Sequence, residues 1–252
     1  MMWNNLMPNV LELKNLSSGY WEKKKEIMVT KPVSYVFAEG QLVSLIGPNG
    51  VGKSSLLRTI GGLQPAMSGE TYVNDKSIAK MTPHQISECV SYVSSATDVR
   101  PNFTVAEYVC LGVYRLTDWT GRMKSMKDND MDSTLEMLSL KAMRDRKVSN
   151  LSDGEFQKVK IARAVVQQTP VILLDEPTSH LDFPSRMDIM WLLRELAENQ
   201  KKLVLVCTHE IDLALKYSDV VCSITKDGNV GFANDVTFRQ LNVLFDTTVF
   251  HA

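Results

Sequence analysis

An apolar run from Gln41 to Ile46 leads directly into Gly47-Pro48-Asn49-Gly50-Val51-Gly52-Lys53-Ser54. The stretch from Lys53 to Ile60 then has helical character and stops at Gly61-Gly62. Strand, glycine-rich turn and helix in that order constrain the fold more than any other feature of the chain. The turn fits G-x-x-x-x-G-K-[ST], in which glycines let backbone N–H groups turn inward around phosphate oxygens. The helix that follows adds its positive N-terminal end. Lys53 neutralises β- and γ-phosphates, and Ser54 offers a hydroxyl to Mg²⁺. Gly47 through Ser54, with the adjoining Ser55, form the candidate phosphate-binding set. A chance glycine-rich turn would need neither flank. The loop alone indicates a nucleotide and no more. Without an N-K-x-D guanine-reading motif a GTPase is disfavoured, while a kinase or a recombination-type ATPase stays open.

The chain has 252 residues, enough for one α/β domain with an inserted or appended subdomain. Hydrophobic residues at 44% and charged residues at 23% permit a proper core. A net charge of −1 gives no global basic field, so nucleic acid is not an expected partner. Cys89, Cys110, Cys207 and Cys222 show no C-x-x-C spacing and are expected to be reduced thiols in a cytosolic protein, not a metal site. Met1 to Val10 has neither a basic nor an apolar segment of the signal-peptide kind. The longest apolar runs, Val171 to Leu174 and Leu203 to Cys207, are of strand length, whereas a membrane span needs roughly 20 apolar residues. Any service to a membrane process is expected to come by docking from outside the bilayer.

Periodicity orders the rest. Val10 to Leu16 alternates as a strand, Glu70 to Val73 is a short strand, and Pro83 to Glu88 is a short helix with Thr82 as N-cap. From about Ser95 to Asn150 the chain becomes helical and richer in Met and charge, with helices expected over 104–113 and 131–140. This reads as a helical subdomain (about 95–150) inserted into an α/β core (about 1–94 and 151–252). The core resumes with an amphipathic helix over 154–167, a buried strand over 171–174, a helix over 184–198, a buried strand over 203–207 and a helix over 211–216. A hairpin of 220–224 and 229–232 turns at Asp227-Gly228. Alternating strands and helices imply a mainly parallel sheet covered on both faces.

Val171-Ile172-Leu173-Leu174 ends on two acids, Asp175 and Glu176. A strand buried on both faces delivers its last residues to the carboxyl edge of the sheet, where open α/β sheets bind ligands. Because successive side chains alternate faces, Asp175 can hold Mg²⁺ while Glu176 is free to orient and deprotonate an attacking water. Two solvated acids at a strand end is the bland alternative, and it loses ground beside the phosphate loop.

Leu151-Ser152-Asp153-Gly154-Glu155 precedes the helix that feeds this strand. With Phe156-Gln157-Lys158-Val159 after it, the segment resembles the L-S-G-G-[QE] motif of the ABC ATPase family. Other motifs of that family occur in order along nearly the whole chain. Tyr20 fits the aromatic that stacks on adenine, although Trp21 adjoins it. Gly47 to Ser54 looks like the Walker A loop, and Val171 to Glu176 looks like Walker B. Ser179-His180-Leu181-Asp182 matches the D-loop pattern S-x-L-D, and His209 matches the switch histidine that senses the γ-phosphate. The resemblance implies an α/β, P-loop NTPase core with an antiparallel β region near the N-terminus and an inserted helical subdomain. It also implies ATP and Mg²⁺ as cofactors and a head-to-tail homodimer. Two ATP molecules would lie between the Walker A loop of one copy and Leu151–Glu155 of the other. Ser152 and Glu155 form an S-x-x-E capping box, so Ser152, Gly154 and Glu155 would present a helix N-terminus to phosphate. Asp182 is counted with the cofactor-binding residues. Lys53, Asp175, Glu176 and His209 are the candidate catalytic set.

Two positions depart from the family pattern. Where a glutamine should reach Mg²⁺ and the lytic water, alignment on Ser91-Tyr92-Val93-Ser94 puts Ser95. A bridging water, or Asp98, would have to supply the reach, with Ser95, Ser54 and Asp175 as the candidate metal set. Asp153 stands where the family has glycine and is expected to face solvent. Within the family, Thr104-Val105-Ala106-Glu107-Tyr108-Val109, Leu111-Gly112-Val113-Tyr114 and Trp119-Thr120-Gly121-Arg122 resemble importers of iron–siderophore complexes, haem and cobalamin, with Arg115 displaced. The short stretch after Asp235 also fits that group. Integral permease subunits and, indirectly, an external binding protein are the implied partners, and the inner face of the cell membrane is the implied location. The rival reading is a soluble ABC ATPase of the iron–sulfur assembly kind.

Overall fold

In a computed structural model the described residues are 8–23, 25–95, 100–116 and 128–234. Alternation in the N-terminal segment yields an antiparallel layer. Asn9–Ser17 (β1) is followed by Gly19–Glu22 (β2) and Lys25–Met28 (β3), which pair with each other as a two-stranded ribbon. Val33–Ala38 (β4) pairs with β1 and places Tyr35 and Phe37 inward, where both rings meet Phe232 at centroid distances of 4.0 and 5.6 Å. The continuous apolar run becomes Leu42–Ile46 (β5), buried at every position, and Lys53–Ile60 is helix α1. Ser68–Val73 (β6) and Lys76–Ser77 (β7) complete a four-stranded sheet in the order β4-β1-β6-β7. This is the antiparallel region that the family resemblance implies.

Pro83–Cys89 (α2) starts at the Thr82 cap as expected and leads into Val90–Val93 (β8). Val105–Cys110 (α3) is shorter than the expected 104–113 helix, because the chain tightens into a 3₁₀ turn over Leu111–Leu116. Gly112 in that turn lies against the next helix, so a Cβ there would sit 2.1 Å from the Arg163 carbonyl oxygen. Asp128–Met137 (α4) ends three residues before the expected end at 140. Asp153–Val165 (α5), Val171–Asp175 (β9), Phe183–Gln200 (α6), Leu203–Cys207 (β10), Ile211–Tyr217 (α7), Val220–Ile224 (β11) and Val230–Asn234 (β12) follow the expected order. The second sheet has the order β12-β11-β5-β10-β9-β8. Every pairing in it is parallel except that of β12 with β11.

Strand alternation divides most of the buried apolar residues between two large cores, with Ile46, Ala214 and Val221 in a small third. Ile172, Leu174, Val204 and Val206 face a cluster built with α3, α4, α5 and α6. Leu173, Leu203, Leu205 and Cys207 face a second cluster that includes Leu11, Leu13 and Phe37 of the antiparallel layer. Cys207 and Cys222 are buried free thiols, and burial pushes both thiols up.

Among the described residues, helices open on capping boxes at Thr82–Gln85, Thr104–Glu107 and Ser152–Glu155, and α6 opens on the Asp182 carboxylate, which accepts from the Ser185 N–H at 3.1 Å. Hydrogen bonds from Thr104 and Ser152 hold the Glu107 and Glu155 carboxyls below the ordinary 4.5, and those from Ser185 hold Asp182 below 3.8. A depressed folded pKa stabilises above the unfolded value and is lost as pH falls through the folded one. The thermal midpoint is therefore expected to fall as pH drops from about 5 toward 3. A Glu107→Gln/Glu155→Gln variant should show a shallower fall in calorimetry over that range.

Candidate nucleotide site

The parallel strands bring β5, β8, β9 and β10 to one carboxyl edge, so Gly47, Ser95, Glu176 and His209 leave the sheet on the same side. The loop from Gly47 turns over itself to start α1. Gly52 sits at φ 103°, and a Cβ there would come within 2.0 Å of Val29 Cγ1. Gly50, at φ 76°, would meet nothing within 4 Å and leaves the loop open on its outer side. Lys53 is 5% exposed and donates from Nζ to the carbonyls of Gly47 at 2.9 Å and Pro48 at 3.2 Å. Its ammonium is thus stored inside the loop that carries it.

Both oxygens of Asp175 are engaged. Ser54 Oγ donates to Oδ1 at 2.7 Å, and Tyr92 Oη, from β8, donates to Oδ2 at 3.1 Å. Burial, then the Asp175 charge, pushes the Tyr92 phenol well above its usual range, so it stays a donor. The adjacent Glu176 leaves the ladder in the left-handed region at φ 48°. Its N–H donates to the Cys207 carbonyl at 3.0 Å, and its own carbonyl accepts from Ser179 N and Oγ at 3.1 and 2.9 Å. Three hydrogen bonds thus hold an uncommon backbone conformation at the end of the strand.

Two cavities flank Glu176. The first, about 530 Å³, is lined by the 49–55 loop residues Asn49, Gly50, Gly52, Lys53, Ser54 and Ser55, by Arg58 and Gln64, and by Tyr20 and Glu176. Strand alternation turns Tyr20 into this cavity and leaves Trp21 out of its lining, which separates the two adjoining aromatics. Gln64 donates to Ser55 Oγ at 3.0 Å and also to the Gly19 carbonyl, tying the loop to the ribbon that carries Tyr20. The second, about 240 Å³, is lined by Ser95, Arg100, Asp153, Phe156, Gln157, Lys160, Glu176 and Ser179–Leu181. Glu176 forms part of both walls.

A family model described as ABC transporter matches residues 30–179. The chain belongs to the ABC transporter family. It is 31% identical over 240 residues to an uncharacterised ABC transporter ATP-binding protein of Methanocaldococcus jannaschii, covering 94% of this chain and 81% of that protein. It is 29% identical over 218 residues to the iron(3+)-hydroxamate import ATP-binding protein FhuC of Bacillus subtilis, covering 86% and 80%. Among solved structures it superposes with a TM-score of 0.74 and 30% identity on a dimeric ATP-binding cassette in a post-hydrolysis state with ADP and phosphate, covering 90% of this chain and all 100% of that one. As a member of this family the protein is an ABC ATPase that binds and hydrolyses ATP.

Not every expected residue of the ABC ATPase reaches a cavity within one chain. Ser152 caps α5, accepting from Glu155 N at 3.2 Å, and Glu155 Oε2 accepts from Ser152 N at 2.7 Å. Gly154 has Ser185 Oγ 3.1 Å from its notional Cβ. Asp182 spends its carboxylate on the α6 cap. His209 lines neither cavity, and its Nε2 lies 3.5 Å from Glu210 Oε1. Asp153 faces solvent as expected, with its side chain 68% exposed, and it also pairs with Arg100, whose guanidinium reaches the first turn of α5. Asp98, the Trp119–Arg122 stretch and the chain after Asp235 lie outside the described residues. Sequence patterns gave no sign of Tyr92, Gln64 or Arg100, since a lone aromatic, amide or guanidinium carries no spacing of its own.

Proposed function

We propose that Lys53, Ser54, Asp175 and Glu176 carry the hydrolysis of ATP in this protein, with Mg²⁺ held by Ser54 and Asp175. The observation that carries the reading is the 2.7 Å Ser54–Asp175 hydrogen bond beside Glu176 in the cavity that Lys53 and Tyr20 also line. A hydroxyl and a carboxylate in contact are hard oxygen donors, the kind Mg²⁺ takes alongside phosphate oxygens and water. When bound, the ion would neutralise charge on the β- and γ-phosphates. Lys53 would exchange its two carbonyl partners for phosphate oxygens, and Tyr20 would stack on the base. Water attacks the γ-phosphorus as the bond to the ADP oxygen breaks, and Glu176 takes the proton that the water loses.

Tyr92 belongs to this reading as a positioning residue for Asp175. Tyr92→Phe removes one donor to a charged oxygen and is expected to raise the Mg²⁺ concentration for half-maximal turnover about five- to tenfold. Metal-free ATP binding should stay as in the parent. A metal titration that does not move removes Tyr92 from the site. Ser95 faces the second cavity beside Glu176 and Gln157, where a water can bridge a short hydroxyl to the first cavity. Ser95→Gln is expected to alter Mg²⁺ dependence or coupling to the permease; unchanged kinetics in the assembled transporter would remove the idea.

The rest of the reading is an assembly. Two copies pack head to tail, with Ser152, Gly154 and Glu155 at the phosphate of the facing copy and with Asp182 and His209 at the shared interface. Residues of about 95–150 form the helical subdomain. Because the Bacillus subtilis relative is named for iron(3+)-hydroxamate import, the substrate class is an iron chelate, moved by integral permease subunits fed by an external binding protein. The ATPase then sits on the cytoplasmic face of the membrane. Among the described residues no helix is long and apolar enough to cross a membrane, which suits a docked subunit. The test is affinity purification from membranes, followed by ATP turnover in proteoliposomes with a binding protein loaded with ferric hydroxamate. Co-purification with a permease and stimulated turnover support it. Recovery on a soluble scaffold, with no stimulation, would sink it.

A further inference from the structure

The Leu151–Glu155 segment carries two acids, Asp153 and Glu155, at the start of α5, the helix end proposed to meet an anion. Two added carboxylates would weaken that end's attraction for phosphate. Each is met by an arginine in the same way. Arg100 donates from Nη1 to the Leu151 carbonyl and from Nη2 to Asp153 Oδ1. Its guanidinium also lies 5.1 Å from the Phe156 ring centroid. Arg146 donates to the Asn150 carbonyl at 2.7 Å and approaches Glu155 Oε1 at 3.5 Å. Glu155 is in addition committed to its capping box, but Asp153 has no such duty, and its side chain is 68% exposed where that of Arg100 is only 26%. Arg100 is thus the anchored partner, and it draws the Asp153 carboxylate toward the cavity shared with Ser95 and Glu176.

We propose that Arg100 is a positioning residue that holds the Asp153 carboxylate away from the phosphate-docking end of α5 and fixes the Leu151 carbonyl, so that this segment can receive a nucleotide phosphate despite an acid in its first turn. The planar fork makes the arrangement specific, since carbonyl and carboxylate are taken by two nitrogens of one group, which lysine cannot copy. Arg100 and Ser95 line the same cavity, so the clamp also ties the wall of that cavity to the segment that would face the other copy's nucleotide. The inference rests on the head-to-tail reading.

The test uses the full chain with Glu176→Gln as parent, so that ATP is not consumed, and reads dimer formation by sedimentation velocity across an ATP–Mg²⁺ titration. Arg100→Met should raise the ATP concentration for half-maximal dimer about tenfold, because an unheld like charge then faces the phosphate. Asp153→Gly should match or better the parent. The double variant Arg100→Met/Asp153→Gly should return to within about twofold of the parent, since sites that share one contact are not additive. If Arg100→Met titrates as the parent, or the double variant stays with Arg100→Met, the clamp is wrong. If the parent forms no dimer at any ATP concentration, it is the head-to-tail reading that fails. The clamp is then judged on the nucleotide-free chain by hydrogen exchange at amides 152–156. Faster exchange in Arg100→Met supports it, and unchanged exchange overturns it.

Discussion

Glu176→Gln is expected to cut ATP turnover by about 10²–10⁴-fold while leaving ATP binding intact. The substitution is nearly isosteric and takes away only the ability to accept a proton. The backbone that aims the side chain does not depend on the carboxylate. It is fixed by the Cys207 carbonyl and by two hydrogen bonds from Ser179, so the amide should point where the acid did. Phosphate release under saturating ATP and Mg²⁺, run beside size-exclusion chromatography, checks both halves. Wild-type turnover with a variant that stalls as an ATP-bound dimer is the expected pair of results. A variant that hydrolyses at close to the wild-type rate would remove Glu176 as the base. If neither protein turns over alone, the comparison moves to the assembled transporter, where the same ratio is expected.

The second large effect is Gly52→Ala. A methyl there must enter a left-handed conformation at φ 103° and come within 2.0 Å of Val29 Cγ1, and turning Val29 aside still leaves its Cβ at 3.3 Å. Strain and overpacking together should cost about 2–4 kcal/mol of stability. The displaced loop should also lose at least about tenfold in ATP affinity, since its backbone donors must keep their aim. Gly50→Ala is the control. It carries the strain of φ 76° but meets no neighbour within 4 Å, so it should be clearly the milder of the two. Denaturant melts and nucleotide titrations of the pair separate packing from loop conformation. Equal losses would mean that Val29 does not define the loop.

The sequence made the central strands legible because β5, β9 and β10 are buried on both faces, and continuous apolar runs bounded by glycine or acid pairs have few other readings. The helix start at Thr82 was visible for a similar reason, a capping side chain followed by proline, whereas the Asp182 cap of α6 was not read from the sequence. Harder to see were β2, β3 and β4. The ribbon Gly19–Met28 is largely exposed and reads as polar, and it is pinned from outside: the Ser18 carbonyl accepts from Val29 N at 2.8 Å, and buried Thr30 Oγ1 accepts from Ser18 N at 2.9 Å. β4 exists because β1 supplies a partner and Phe232 supplies a ring, neither of which is local in sequence. In the site, Lys53, Ser54, Asp175 and Glu176 announced themselves by spacing. Tyr92 and Arg100 did not, since each acts through a contact formed only when distant segments meet. The partner of Asp153 was hidden on the same ground, lying 53 positions away.

Because β5, β9 and β10 send alternate side chains into two separate apolar clusters, the six-stranded sheet works as a bulkhead. Packing errors on one side have about 10 Å of sheet to cross before they disturb the other, a distance at which mutational costs add rather than compound. The compartment holding Phe37, Leu11 and the buried face of α1 (Leu56, Leu57 and Ile60) can therefore stay constant over evolutionary time. Meanwhile the compartment with α3, α4 and α5 is free to drift with whatever its outer surface must follow.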